Sequence, residues 1–311
     1  MKFGIWLDIW MENYIAPSAK IKTVMCYESM IKNHIKPRMG GCEIMDLTPL
    51  IIQQNITELL TNGNKKTQRG LSRSTVNLII TIIQGAIATA SKVGLVDSAD
   101  DCRVKRPKIK NTSNACFSMM EQRKIEDAVK KHKNPKMIGI ILTLYTGLRI
   151  GELLALEWSD VNFKTAEIYV SKTCSDAKMN GTFGRITNSP KTATSKRTIP
   201  IPKQLLPLLA STKKKNNSKY VVGNGDKPVS VRSYQRRFEN LLSKLNIEHR
   251  GFHALRHTFA TRAIESGMDV KALSEILGHK NTAITLNRYA HSFMSHKKTM
   301  MNKLGKLFQY I

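Results

Sequence analysis

The amino-acid sequence predicts a mainly α-helical protein with a small antiparallel β-sheet, in which a wholly helical part precedes a mixed α/β part. Three observations carry this. Apolar residues recur at the 3.6-residue period through most of residues 3–94, with cap and breaker residues between the runs. Two later segments, Ala166–Lys172 and Arg197–Pro202, alternate like a strand or carry prolines that forbid helix. Between the two parts, residues 98–114 are polar, proline-interrupted and without hydrophobic periodicity. A length of 311 residues suits two ordinary domains. The expected division is a helical domain over 1–97, a basic linker over 98–114 and a second domain over 115–311, whose tail is 292–311.

In order, the first helix covers Phe3–Ile15 and the second Ile21–Ile35, where Pro37 stops the run. Thr48 and Pro49 open the third, since proline is pre-set for the first helical position, and Asn62-Gly63 closes it. Ser72 or Ser74 caps the fourth, which runs through Ala90 to Gly94. In the second part Ser118 caps a helix reaching Lys131, and a buried helix follows from Lys136 to about Tyr145. After the two extended segments, helices return at Lys203–Ser211, Val231–Leu245, Phe252–Ser266, Val270–Leu277 and Thr282–Tyr289, the last capped by Thr282. No internal repeat is visible.

Composition excludes several classes. Lys plus Arg number 50 and Asp plus Glu 23, a formal charge of +27, which favours a polyanionic partner and keeps free copies apart as monomers. The excess is uneven: residues 1–110 hold 16 basic and 9 acidic side chains, and residues 111–311 hold 34 and 14. Apolar residues at 41% rule out global disorder. The strongest apolar runs, Leu78–Ala90 and Ile138–Leu148, fall short of the ~20 residues that span a bilayer. Asp8 interrupts the N-terminal apolar stretch that an export signal would need, so a cytoplasmic protein with no membrane partner is expected. Five scattered cysteines without a CxxC pair argue against a zinc ribbon or a disulfide framework. Arg103, Lys105, Arg106, Lys108 and Lys110 in the linker suit a strap along phosphates, or simply a solvated charged segment.

Three segments put reactive residues inside apolar periodicity. In TGLRIGELLAL (Thr146–Leu156), Gly147 ends one helix and Arg149 starts the next, where a guanidinium beside unpaired N–H groups can bind phosphate. Glu152 stands at i+3 and can orient that guanidinium; alone, the pair also reads as an ordinary surface ion pair. In GFHALRHTFATRAIESG (Gly251–Gly267), His253 and Arg256 share a helix face. His253 and His257 have the spacing of a zinc pair, but no glutamate follows the first histidine and no third ligand is evident. In LGHKNTAITLNRYAH (Leu277–His291), Gly278 ends a helix, His279 follows in the turn, and Tyr289 comes ten residues later. Two arginines, two histidines and a tyrosine together suit metal-free phosphoryl transfer. Guanidiniums neutralise the non-bridging oxygens, a tyrosine hydroxyl attacks, and a lysine of lowered pKa can protonate the leaving oxygen.

With these segments in this order and at these separations, the sequence resembles the tyrosine recombinase family, the phage and conjugative-transposon integrases together with the Xer-type recombinases. The resemblance covers nearly the whole chain. Residues 1–95 (WLDIWMENYI, HIKPRMG, LTPLIIQ, LSRSTVNLI) look like the family's helical core-binding, SAM-like domain. Residues 115–311 look like its mixed α/β catalytic domain, through TGLRIGELLAL, HALRHTFAT, LGH and NRY. Arg149 and Arg256 match its phosphate-clamping arginines, His253 its proton-transfer histidine, His279 its second phosphate hydrogen-bonder and Tyr289 its nucleophile. Glu152 matches the acidic support of the first arginine. The family's lysine lies on a β-hairpin before the segment RTIPIP, where SPKTATSKRTIPIP offers Lys191, Lys196 and Arg197. The lysine of "KT", Lys191, is chosen, which leaves Lys196 and Arg197 as contacts to the DNA backbone.

The resemblance implies a site-specific DNA recombinase acting on double-stranded core sites for a mobile element. It implies a 3′-phosphotyrosine, a Holliday junction in a homotetramer, an accessory excisionase as a further partner, and no need of ATP, metal or other cofactor. Resolution of the Xer type and topoisomerase-IB-like relaxation are the nearest alternatives. A regulator that kept only the fold has no need of Arg149, His253, Arg256, His279 and Tyr289 together, and an RNA-binding module lacks an aromatic-rich strand. Many such integrases carry an arm-binding domain ahead of the core-binding domain, and this chain starts where that domain would end. The tail His291–Ile311, with Phe293, Met300, Leu304 and Leu307 at helical spacing, is expected to dock on a neighbouring protomer or to pack on its own.

Overall fold

A computed structural model describes residues 1–64, 67–97, 104–109, 116–132, 134–179, 182–188, 196–279 and 281–283, and residues 298, 301–302, 304–306 and 308 of the tail. The backbone separates into two compact units, Met1–Asn111 and Thr112–Ile311.

The first unit is helical throughout. Helix α1 (Phe3–Trp10) continues as a π turn through Ile15, and α2 (Ile21–Met30) continues as a π turn over Ile31–Ile35 into α3 (Lys36–Met39). Pro37 therefore does not stop the second helix as expected. The wider i→i+5 bonding just before it already interrupts the regular ladder, so a residue without N–H fits at the start of α3. Helix α4 (Pro49–Asn62) is capped by Thr48, whose hydroxyl accepts from the Ile51 N–H. Helix α5 (Arg73–Lys92) is capped by Ser72, which accepts from the Thr75 N–H.

At 20 residues α5 is long and apolar enough to cross a membrane by length and composition, yet its apolar stripe is the core of the unit. Val76, Ile79, Ile80, Ile82, Ile83, Ala86, Ile87 and Ala90 pack with Phe3, Trp6, Leu7, Ile35, Ile52, Ile56 and Leu59. Each such large side chain contributes about 1.5–3 kcal/mol when fully buried. Trp6 donates from Nε1 to the Ala86 carbonyl (2.9 Å) and Trp10 to the Thr89 hydroxyl (3.0 Å), so α1 is fastened to α5 by polar as well as apolar contact.

The polar side of α5 carries a strap. Arg106 reaches Gln84 Oε1 (2.7 Å) and Thr81 Oγ1 (3.1 Å), Asn77 donates to the Pro107 carbonyl (3.0 Å), and Arg73 donates to the Lys108 carbonyl (3.0 Å). The Lys105 N–H adds a bond to Gln53 Oε1 (3.0 Å). Residues 104–109, within the segment expected as a basic interdomain linker, are therefore fastened along the first unit.

The second unit opens with α6 (Met119–Lys131), whose capping box pairs Ser118 with Glu121. A 3-10 turn at Pro135–Met137 leads into α7 (Ile138–Thr146), buried almost all round, and α8 (Ile150–Ala155) follows. Strands β1 (Val161–Asn162), β2 (Glu167–Val170) and β5 (Arg197–Pro200) form an antiparallel sheet in the order β1-β2-β5, pairing Val161 with Ile168 and Val170 with Arg197. Between β2 and β5 stands a hairpin of β3 (Thr173–Met179) and β4 (Thr182–Asn188). Helix α9 (Leu206–Lys215), the short hairpin β6 (Gly223–Asn224) and β7 (Lys227–Pro228), and helices α10 (Val231–Lys244), α11 (His253–Glu265) and α12 (Val270–Leu277) complete the order.

The main core joins α7, α8, the inner sheet face (Ile168, Val170, Ile199) and α10 (Tyr234, Phe238). A satellite core of Ala260, Ala263, Ile264, Leu273 and Leu277 fixes α12 against α11. Helix α11 is thus held on both sides, which immobilises the polar residues it carries.

Candidate active site

Two glycine turns meet beside α11. Gly147 leaves α7 at φ +66° and Gly278 leaves α12 at φ +64°, a left-handed backbone that glycine adopts without Cβ cost. A Cβ at Gly147 would lie 2.6 Å from the Phe259 ring and 2.8 Å from Leu277, and one at Gly278 would lie 2.9 Å from the Arg197 guanidinium. The turns have no room for a side chain because the surrounding residues close on them.

Three arginines use the carbonyls these turns expose. Arg256, on α11 and only 2% exposed, donates to the carbonyls of Gly147 (2.7 Å) and Leu277 (2.7 Å), and its Nη2 lies 3.0 Å from His279 Nε2. Arg149 donates to the Gly278 carbonyl (3.0 Å) and to Glu152 Oε1 (2.8 Å). Arg197, on β5, donates from Nη1 and Nη2 to the two oxygens of Glu152 (3.1 and 2.8 Å) and from Nε to the Ile276 carbonyl. Glu152 also accepts the Arg149 N–H (2.9 Å), so the first turn of α8 is occupied by its own carboxylate.

Burial alone would push the Glu152 carboxyl up. The Arg197 hydrogen bonds and charge, followed by the charge of Arg149, outweigh it and hold the carboxyl at about 2. It is ionised at any physiological pH. Three guanidiniums against one carboxylate leave an excess of two positive charges, and Arg149, 37% exposed, is the one of its ion pair open to solvent.

This geometry corrects one expectation. The sequence expectation puts Arg197 on the DNA backbone, but its side chain is 7% exposed and bonds Glu152 and the Ile276 carbonyl. It supports the site from behind. Lys196, next to it, is exposed. His253 lies at the exposed start of α11, with its ring edge-to-face on buried His257 at 4.6 Å. The cap expected at Thr282 is one residue earlier: Asn281 Oδ1 accepts the Ala283 N–H (2.9 Å). Of the sequence-derived set, Arg149 is joined directly to Glu152 and Arg256 to His279, the two pairs meet through the adjacent Gly278 and Leu277 carbonyls, and Arg197 joins Glu152. Lys191, Tyr289 and Arg103 lie outside the described residues. Lys105, Arg106 and Lys108 belong to the first unit's strap.

Chemically, such a cluster can hold a phosphate whose charge rises during reaction, because its cations are fixed before the substrate arrives. Residues 116–296 match the phage integrase family and residues 2–60 match its N-terminal SAM-like domain. A tyrosine recombinase XerC-like protein of Caldanaerobacter subterraneus is 30% identical over 98% of this chain and 83% of its own length. The ICEBs1 integrase of Bacillus subtilis is 26% identical over 77% of this chain and 67% of its own length. The Tn1549 transposon integrase, solved in complex with a circular intermediate DNA, shares the fold at a TM-score of 0.82 and 22% identity, covering 98% of this chain and 99% of that one. A lambda integrase dimer bound to a core site shares it at 0.71 and 20% identity, over 93% and 95%. The chain belongs to the phage integrase family, and its members are tyrosine recombinases.

Proposed function

We propose that this site-specific recombinase cuts and rejoins duplex DNA at core sites through a covalent bond to Tyr289, in the integration and excision of a mobile element. The linkage of Arg256 to His279 at 3.0 Å, with Arg149 on the same pair of turns, is the observation that carries this reading. A phosphodiester under attack gathers charge on its non-bridging oxygens, and Arg149, Arg256 and His279 are the groups that meet it. Tyr289, ten residues beyond His279, attacks the phosphorus as His253 assists removal of the phenolic proton. The bond to the 5′-oxygen breaks, and that oxygen takes a proton from Lys191.

The products are a 3′-phosphotyrosine and a 5′-hydroxyl. A 5′-hydroxyl from a second strand reverses the sequence and rejoins DNA, with the bond energy kept in the phosphotyrosine. A lambda integrase tetramer has been solved on a Holliday junction, and the same assembly is proposed for this chain in the cytoplasm, on DNA, with the free protein monomeric.

A nicked suicide substrate carrying candidate core sites tests the reading. The short downstream fragment carrying the 5′-hydroxyl diffuses away, and its loss traps the covalent intermediate, which should appear as a DNA–protein adduct. Tyr289→Phe should abolish the adduct while DNA affinity stays close to the original. An adduct of undiminished yield in that variant would exclude Tyr289 as the nucleophile.

A further inference from the structure

The flank of α10 carries a second cationic site. A cavity of about 400 Å³ opens there, lined by His132, Ser233, Arg236, Arg237, Asn240 and Lys244 among others, and no carboxylate among the described residues lines it. The acid of this helix nearest in sequence, Glu239, faces His249 instead (3.6 Å). None of Arg149, Arg256 and His279 borders this cavity, so it is separate from the two glycine turns.

Two observations distinguish it from an ordinary solvated basic face. Arg237 Nε is buried and makes no hydrogen bond among the described residues, an uncompensated cost for a polar group. Lys136, whose carbonyl accepts the Tyr234 hydroxyl beneath α10 (2.8 Å), has its ammonium pushed below the usual lysine value, by burial first and then by the charge of Arg237. Cations are held close enough here to disfavour one another. Both costs fall when an anion with several acceptor oxygens enters. A phosphate group matches best, since a guanidinium meets two of its oxygens at once and Ser233, Asn240 and Lys244 add donors of other directions.

The geometry points to a second phosphate-binding site between α10 and the end of α6, taking a phosphate of a DNA backbone or of a free polyphosphate. The site does not depend on Tyr289 chemistry, so its test and the adduct assay fail independently.

Two measurements on the full chain decide it. The first titrates the wild-type protein with inorganic pyrophosphate and follows the Arg237 Nε–Hε resonance, assigned by its loss in Arg237→Lys. The second compares the salt dependence of duplex binding by the wild type and by Arg236→Gln/Arg237→Gln. A salt slope lower by about one in the double variant, as for one phosphate contact removed, assigns the site to DNA. A saturable shift with pyrophosphate and an unchanged slope assigns it to a free polyphosphate. An unmoved resonance together with an unchanged slope overturns the proposal, and the wild-type titration stands even if the double variant folds poorly.

Discussion

Arg197 and Glu152 face each other across β5 and α8 through two hydrogen bonds of 3.1 and 2.8 Å, with each side chain 7% exposed. The same carboxylate holds Arg149. One buried acid thus sets the position of a guanidinium proposed to touch DNA and of another that is buried beside it. Because Arg197 also bonds the Ile276 carbonyl, the sheet, α8 and the end of α12 are joined at this point.

The acid limb of stability should report this pair. Glu152 has a folded-state carboxyl at about 2 against an ordinary value of 4.5. A depressed carboxyl contributes stability above its unfolded value and loses it as pH falls through the folded one, here on the order of 3 kcal/mol. Glu152→Gln should therefore be less stable than wild type at pH 6, and the gap should narrow between about 4.5 and 2. Urea unfolding at a series of pH values measures it; a gap independent of pH would mean that the carboxylate charge is not what the arginines stabilise.

Removing the other partner separates support from DNA contact. Arg197→Met leaves Glu152 with Arg149 alone, and breaking a buried pair in this way costs about 3–5 kcal/mol. Adduct formation on the suicide substrate should fall at least tenfold, with partial recovery in Arg197→Lys. The salt slope of DNA binding should not change, because no phosphate contact is lost. A slope reduced by about one would return Arg197 to the DNA backbone.

Much of this was legible in the sequence where a local signal sufficed. The bounds Val270–Leu277 of α12, the caps of α4 and α6, and the glycine ends of α7 and α12 each follow from one cap residue and an apolar period. Pro37 misled because its tolerance depends on a π turn, which hydrophobic spacing does not reveal. Asn281 and Thr282 are both cap formers one residue apart, and residue type alone does not choose between them. The partner of Glu152 was half legible: Arg149 stands at i+3 within one helical turn, whereas Arg197 lies 45 residues away and arrives only because β5 pairs with β2. A basic residue at the start of RTIPIP looks the same in sequence whether it faces phosphate or a buried carboxylate.

The proposed general acid should show a diagnostic rescue. Lys191→Ala should cleave a normal phosphodiester slowly, by a factor of about 10²–10⁴, the usual contribution of general acid catalysis. A bridging 5′-thiolate leaves without a proton, so that substrate should restore the rate in the variant. If the thio substrate is equally slow, Lys191 acts at another step, and exposed Lys196 becomes the candidate.

The tail should matter for assembly rather than for the first chemical step. Met301, Leu304 and Phe308 are large apolar residues exposed by 64%, 43% and 61%. Along the sequence Phe293, Met300, Leu304 and Leu307 keep a helical spacing immediately after Tyr289. Apolar surface so exposed gains about 25 cal/mol per Å² when another surface covers it, and a chain of charge +27 resists self-association until DNA neutralises it. A neighbouring protomer on the same DNA is therefore the expected cover, and it would tie each Tyr289 to the state of the next subunit. Deleting residues 293–311 should weaken tetramers on a two-site DNA and uncouple cleavage from strand exchange, while single-site DNA affinity stays within a few-fold of the full chain. Sedimentation of the shortened chain on that DNA measures it, with recombination assayed in parallel. Tetramers of undiminished amount with normal recombination would mean that the tail is covered within its own protomer.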